Sequence, residues 1–399
     1  MRAEGNNKGR HGLHLAPPRE GKVDVLFIAG EHSGDQHAAS IALELAATHP
    51  EWKQVALGGP ALRSAGVQVL HDLTRDSVVG LVEVLRNYPF FRQLFGELVR
   101  WIGTHQPRIV VLVDYPGFNL RLAEALRRGG ISRKGGGNVA VYQYVSPQIW
   151  AWKAGRRFKM AGTLDELGVI FPFEVACYAD TVLPVRFVGH PFASREYRNP
   201  LRYDPEGPIL LLPGSRKQAV ARIFPLMVRA IRQLIDDGVR HRCVCLYPGD
   251  GIRYILEQEL GRQHIPPEMI TLRSVETGTT ANSVLTSSGT MSLNCALAGI
   301  PGAVVYRAHP LTTWIGKRLV KVDWLGIANL VLGRELYPEY LQEAARPEEL
   351  AARIGAILAH PEMREPFAEG AQELRECLGA EEAFSVPERL ERLMEASSR

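Results

Sequence analysis

The stretch GEHSGDQHAAS (30–40) sets Glu31, His32, Ser33 and Asp35 around two glycines, directly after the apolar run VDVLFIAG. A further carboxylate, Asp114, ends a second apolar run in VLVDYPGFNLRLA (111–123), with Asn119 shortly after it. A carboxylate at a strand end can serve as general base toward a hydroxyl. The alternative for Asp114 is an Asx-turn or cap, to which Asp is equally suited. Two more stretches fit anion binding. LLLPGSR (210–216) ends an apolar run in Pro-Gly-Ser-Arg and opens a helical pattern, and SSGTMSLNCALAG (287–299) repeats the arrangement. Free N–H groups and the positive dipole end of a helix attract phosphate. Arg216 adds a two-pronged donor suited to a diphosphate. A plain turn with a surface arginine is the other reading of the first stretch, and a well-capped helix that of the second. Two such turns in one domain favour a nucleoside diphosphate. Neither is a Walker A loop and no GxGxxG follows the first strand, so ATP hydrolysis and NAD chemistry are disfavoured.

These residues need elements to hold them. Short apolar runs at 23–30, 54–59, 67–72, 108–114, 139–146 and 166–171 alternate with helical patterns, and a second alternating set begins at 208. Near-continuous apolar strands imply sheets covered on both faces, and alternation with helices implies parallel strands. The expected architecture is α/β, two doubly wound domains facing a cleft. Ligands in such sheets bind beyond the carboxyl ends of the strands, where all four stretches lie. The charged, proline-rich segment 191–207 reads as the connection.

A chain of 399 residues is too long for one ordinary core, and 46% apolar with 23% charged content is that of a globular protein. A net charge of +4 and no nucleic-acid fold signature argue against nucleic-acid binding. Five scattered cysteines form no CxxC pair, and Cys243 and Cys245 alternate on one strand face, which reads as core in a reducing compartment. No apolar stretch approaches the roughly 18 residues of a membrane span. Residues 1–20 read as a disordered leader. Two segments mix cations with apolar rings. Residues 81–103 carry Arg86, Phe90, Phe91, Arg92, Phe95 and Trp101, and residues 306–321 carry Arg307, Trp314, Lys317, Arg318 and Lys321. An amphipathic core helix is the ordinary explanation; contact with a lipidic substrate or an anionic membrane surface is the functional one.

The set GEHSGD, GGPALRSAGV, VVGLVEVL, DYPGFN, YVSPQIWAW, FVGHP, LLPGSR, SSGT and NLVLGRELYPEYLQ, in this order over roughly residues 23–360, resembles the lipid-A-disaccharide synthases. The resemblance implies a GT-B glycosyltransferase fold of two facing Rossmann-like domains. It implies inverting transfer of 2,3-diacylglucosamine from its UDP derivative to 2,3-diacylglucosamine 1-phosphate, giving the β-1,6 disaccharide and UDP, with no cofactor and no bound metal. It places Asp114, with Glu31 in reserve, as catalytic base, and Ser33, Asp35 and Asn119 on the acceptor side. It places Gly214, Ser215, Arg216, Ser288, Gly289, Thr290, Asn294, Asn329 and Glu335 at the UDP-sugar. Asn294 stands where the family has Glu, and His32 where it has Ala. The expected division is 21–190 for the acceptor and membrane domain, 208–370 for the donor domain, and a helical tail, 371–399, returning to the first domain. A cytoplasmic enzyme peripheral to the inner membrane of a Gram-negative-type bacterium is implied, and a homodimer is an expectation. The competing readings are another GT-B activity on UDP-N-acetylglucosamine (2-epimerase or lipid-linked sugar transferase) and a non-catalytic nucleotide-sugar binder.

Overall fold

Continuous valine, isoleucine and leucine runs form the centres of two parallel sheets. The computed structural model describes residues 14–77, 88–194, 197–266, 268–308, 323–379 and 384–395. The first sheet contains β1 (Val25–Ala29), β2 (Gln54–Gly58), β3 (Gln68–Asp72), β4 (Ile109–Val113), β5 (Ala140–Tyr144), β6 (Glu166–Val169) and β7 (Val185–Phe187), in the order β3-β2-β1-β4-β5-β6-β7. Strands β1, β4 and β5 are buried along their whole length, as strands covered on both faces must be. A short β8 (Leu201–Tyr203) precedes the second sheet. That sheet contains β9 (Ile209–Leu212), β10 (Cys243–Tyr247), β11 (Ile270–Ser274), β13 (Ser283–Thr286), β14 (Gly302–Tyr306) and β15 (Glu339–Leu341), in the order β11-β10-β9-β13-β14-β15. Every strand pair is parallel, including β8 with β12 (Thr279–Ala281). Cys243 and Cys245 are free thiols buried in the second core.

Strand order reverses once in each sheet. In the first the reversal lies between β1 and β4, paired Ala29 to Val113; in the second it lies between β9 and β13, paired Leu212 to Thr286. Chains leaving the two strands at such a point diverge to opposite faces and open a crevice at their carboxyl ends. The helices that follow these strands are α1 (His32–Thr48), α3 (Pro116–Arg128), α4 (Lys217–Asp236) and α5 (Thr290–Leu297), with α2 (Tyr88–His105) preceding β4.

Segment 191–207 is more than a connection: it contains β8, and its Asn199 side chain donates to the Asn294 carbonyl at 2.8 Å. The expected boundary at 371 falls inside α6 (Glu365–Leu378), whose Leu374 and Leu378 lie in the second domain's core. Beyond it, α7 (Val386–Glu395) buries Val386, Leu390 and Met394 in the first domain's core. Each such side chain contributes roughly 1.5–3 kcal/mol. Arg389 fixes the docking with two bonds to the buried Glu166 carboxylate, 2.6 and 2.7 Å.

Two expectations are corrected. Residues 14–20 are not a disordered leader. Leu15 is buried in the core, its N–H donates to Glu97 at 3.2 Å, and the Ala16 carbonyl accepts from the Trp101 indole at 2.9 Å. Trp101 is therefore core and not a membrane contact. With Leu94, Leu98 and Ile102 it forms the buried stripe of α2, at the spacing of one helix face. Phe90, Phe91 and Phe95 are half-buried against the same core, and Arg92 is exposed. Arg86 and residues 309–321, expected at the membrane, lie outside the described residues. Among those described, no helix is long and apolar enough to cross a membrane.

Candidate active site

The reversal in the first sheet places two carboxylates side by side. Glu31 is the N-cap residue of α1, but its side chain makes no capping bond and is exposed, as is Ser33. Asp114 follows the last residue of β4 and is half-buried. Burial, then the Glu31 charge, pushes the Asp114 carboxyl up to about 6, against the opposing pull of the Tyr115 N–H. A carboxylate raised this far is a stronger base than an ordinary aspartate and is still mostly ionised at neutral pH.

The backbone holding Asp114 is strained. Asp114 and Tyr115 have φ of 45° and 46°, and Val145, at the end of the adjacent β5, has 69°. Non-glycine residues there cost on the order of 1–3 kcal/mol each and persist only where surrounding bonds fix them. Two fully buried amides do so. Asn119 Nδ2 donates to the Asp114 carbonyl at 2.8 Å and the Val113 carbonyl at 3.2 Å. Gln143 Nε2 donates to the Asp114 and Val145 carbonyls at 3.3 and 3.1 Å, and the Asp114 N–H donates to the Tyr144 carbonyl at 2.9 Å. The Tyr115 ring lies against Gly30, where any Cβ would overlap it, so a glycine must follow β1. Asn119 is thus a backbone clamp. Asp35 also turns inward: it is fully buried and accepts from the N–H groups of Gly59, Ala61 and Leu62 at 2.7, 2.8 and 3.4 Å. It ties the loop after β1 to the one after β2 and does not reach solvent.

In the second sheet the two turns touch. The Ser287 N–H donates to the Leu212 carbonyl at 2.8 Å, and Gly214, at φ 109°, has no room for a Cβ beyond van der Waals tightness because Ser287 Oγ would lie 3.0 Å from it. Arg216 is the N-cap of α4 and Gly289 that of α5, and neither helix has a side-chain cap. Two helix N-termini therefore offer open N–H groups, flanked by the exposed Ser215, Arg216 and Thr290 and the half-buried Ser288. Between the turns lies a cavity of ≈ 130 Å³, floored by Leu212, Leu246, Val275 and Met291. An apolar floor with a polar rim suits a flat base joined to a diphosphate.

Two residues expected at the nucleotide are turned into the protein. Asn294 is buried and its Oδ1 accepts from the Tyr197 hydroxyl at 2.8 Å. Asn329 is fully buried. It accepts from the N–H groups of Leu336 and Tyr337 at 2.8 and 2.9 Å and donates to the Tyr337 carbonyl and Glu339 at 2.8 and 3.0 Å. It anchors the turn on which Glu335 stands exposed. Gln143 was not singled out from sequence. The signal for Gln143 was present: an amide inside the otherwise apolar VAVYQYVS. Among the described residues no group of three or more His, Cys, Asp or Glu side chains could hold a metal ion.

The two domains meet beyond β6. Ile170 packs against the cores of both domains, and Phe171 is buried in that of the second. The carboxyl edge of the first sheet therefore abuts the second domain.

Comparison with known proteins agrees with this arrangement. Residues 25–383 match the family described as lipid-A-disaccharide synthetase. The lipid-A-disaccharide synthase of Geobacter metallireducens is 36% identical over 374 residues, 89% of this chain and 93% of that one. Lipid-A-disaccharide synthase 1 of Legionella pneumophila is 34% identical over 368 residues, 90% and 94% of the two chains. In fold, the chain is similar to the UDP-GlcNAc 2-epimerase of Neisseria meningitidis (TM-score 0.57, 12% identity, 89% of this chain and 99% of that one). It is also similar to the glycotransferase of kitacinnamycin (TM-score 0.58, 12% identity, 94% and 100%). With its two parallel-sheet domains in the GT-B arrangement, the chain belongs to the lipid-A-disaccharide synthase family of glycosyltransferases.

Proposed function

We propose that this chain transfers 2,3-diacylglucosamine from its UDP derivative to 2,3-diacylglucosamine 1-phosphate, with inversion, in lipid A biosynthesis. The observation that carries the reading is topological: the paired carboxylates and the paired phosphate-type turns each occupy the strand-order reversal of their own sheet. The turns 213–216 and 287–290 hold the donor's diphosphate, with the base over the apolar floor. The acceptor lies against the loops after β1 and β4, its hydroxyls within reach of Glu31 and Ser33. Asp114 takes the proton from the acceptor's 6-hydroxyl. The oxygen attacks the donor's anomeric carbon from the face opposite the diphosphate, the bond from that carbon to the diphosphate oxygen breaks, and UDP departs. Arg216 and the two helix N-termini carry the charge that grows on UDP. Glu31 raises the basicity of Asp114 through its charge. Asn294 and Asn329 act one step removed, by fixing the elements around the donor.

Acylated sugars reside in bilayers, so the enzyme works at a membrane surface, peripherally. Incubation with both diacylated sugars, with products read by mass, tests the reading. A disaccharide monophosphate and one UDP per product are expected. Release of UDP without disaccharide, or conversion of UDP-N-acetylglucosamine to its 2-epimer, would replace it.

A further inference from the structure

Of the seven large apolar side chains exposed among the described residues, four fall between 152 and 182: Trp152, Phe158, Val175 and Val182. Trp152 is 45% exposed, Phe158 55% and Val182 85%. Trp152, Phe158 and Val182 are linked through their neighbours. Asp180, two residues before Val182, accepts both guanidinium bonds of Arg157 at 2.6 and 2.5 Å, and that guanidinium stacks 4.4 Å over the Phe158 ring. Lys153 Nζ and the Arg156 guanidinium lie 4.3 and 5.1 Å from the Trp152 ring centre. Asp180 neutralises Arg157, but among the described residues no carboxylate pairs with Lys153, Arg156 or Lys159. Rings exposed to solvent and flanked by unneutralised cations are the chemistry of an interfacial anchor. The rings sit at headgroup depth while the cations meet lipid phosphate.

Position strengthens the argument. Trp152 lies on the loop leaving the carboxyl end of β5, the strand paired with β4, whose end carries Asp114. The short helix Arg156–Ala161 follows, its Met160 packed in the same core cluster as Leu94 and Leu98 of α2. The aromatic side of α2 is largely spent on that core, whereas this neighbouring surface is not.

We propose that Trp152, Phe158 and Val182, ringed by Lys153, Arg156 and Lys159, dock the protein on an anionic bilayer with the cleft mouth toward the lipid. The proposal rests on the reading that the substrates are acylated and membrane-borne. It is tested by sedimenting the full chain with vesicles of phosphatidylcholine, with and without phosphatidylglycerol. The protein should bind only the anionic vesicles, and high salt should weaken the binding. Removing three cations (Lys153→Gln, Arg156→Gln, Lys159→Gln) should weaken it roughly 100-fold, at about fivefold per cation near such a surface. Trp152→Ser with Phe158→Ser should weaken it at least about tenfold. Turnover of detergent-dispersed substrates should stay near wild type in both variants. Unchanged vesicle binding in the variants, or no binding by the wild type, overturns the proposal. So does an equal loss of turnover in detergent, which would make this a substrate-contact surface. If the ring variant does not fold, the cation variant decides. A wild type that binds vesicles through this surface yet forms no disaccharide in detergent would sink the proposed reaction and leave the docking surface standing.

Discussion

The loops after β9 and β13 and the loops after β1 and β4 occupy the same topological position in the two domains, yet they differ in almost every physical respect. In the donor-side turns 213–216 and 287–290 the one residue with positive φ is a glycine, Gly214, which adopts that conformation without penalty. The groups on offer are open N–H ends of α4 and α5, hydroxyls and a guanidinium, all of which bind an anion without changing protonation. On the acceptor side three non-glycine residues, Asp114, Tyr115 and Val145, are held left-handed by two buried amides, and the carboxyl so positioned is raised to about 6. One domain is arranged to hold charge and the other to move a proton. Between these two sets of loops, left-handed non-glycine backbone falls on the side where the proton moves.

Four outcomes would sharpen or break that contrast. Asp114→Asn should lower turnover by roughly 10²–10⁴-fold, the usual range for a lost general base, while donor affinity by calorimetry stays unchanged. Near-normal turnover in the folded variant would remove Asp114 from the chemistry. Arg216→Ala should do the converse, weakening UDP binding by roughly 10–150-fold for a lost charge-assisted contact of about 1.5–3 kcal/mol; unchanged UDP affinity would refute its assignment. Asn119→Ala strips the donor from the Val113 and Asp114 carbonyls, so thermal denaturation should show a loss of about 2 kcal/mol. Turnover should fall with it while UDP affinity holds; a loss of donor affinity instead would contradict the separation. The smallest effect is a gain. Asp114 rises from 3.8 to about 6 on folding, so the native state binds its proton more tightly, and its contribution to stability falls as pH rises through that window. Asp114→Asn should therefore stabilise the protein by about 1–2 kcal/mol above pH 6, and that gain should vanish below roughly pH 4. A gain that is the same at both pH values would mean that the carboxyl titrates normally.

The fold was legible because strands buried on both faces leave continuous apolar runs, and the turns that end them carry their own punctuation in Pro-Gly-Ser and Ser-Gly-Thr. What the sequence hid is direction. Asp35 and Asn119 lie in the same motifs as Glu31 and Asp114, but a helical turn rotates them into the protein, where their polar atoms serve backbone groups. Residue type announces a capacity for chemistry, and only the register of α1 and α3 decides whether it faces ligand or core. Asn294 and Asn329 tell the same story in the second domain, each bonded to neighbouring loops. Trp101 was misplaced for a related reason. The neighbouring arginines suggest a surface, whereas its spacing from Leu94 and Leu98 marks the buried face of α2. The strain at Val145 had no signature in the sequence, since nothing local requires a β-branched residue to turn left-handed; the clamp by Gln143 exists only once β4 and β5 are paired.

The contrast between a binding half and a reacting half is tested most directly by the pH dependence of turnover in the wild type and in Glu31→Gln, beside donor binding over the same range. UDP-N-acetylglucosamine serves as the water-soluble donor probe, because its diphosphate is esterified at both ends and does not titrate near pH 6. Turnover should rise through an apparent pKa of about 6 in the wild type. In Glu31→Gln the same limb should move to lower pH, since the charge that helps raise Asp114 is gone, while donor affinity stays flat in both proteins. A limb that does not move, or donor affinity that follows it, would contradict the account.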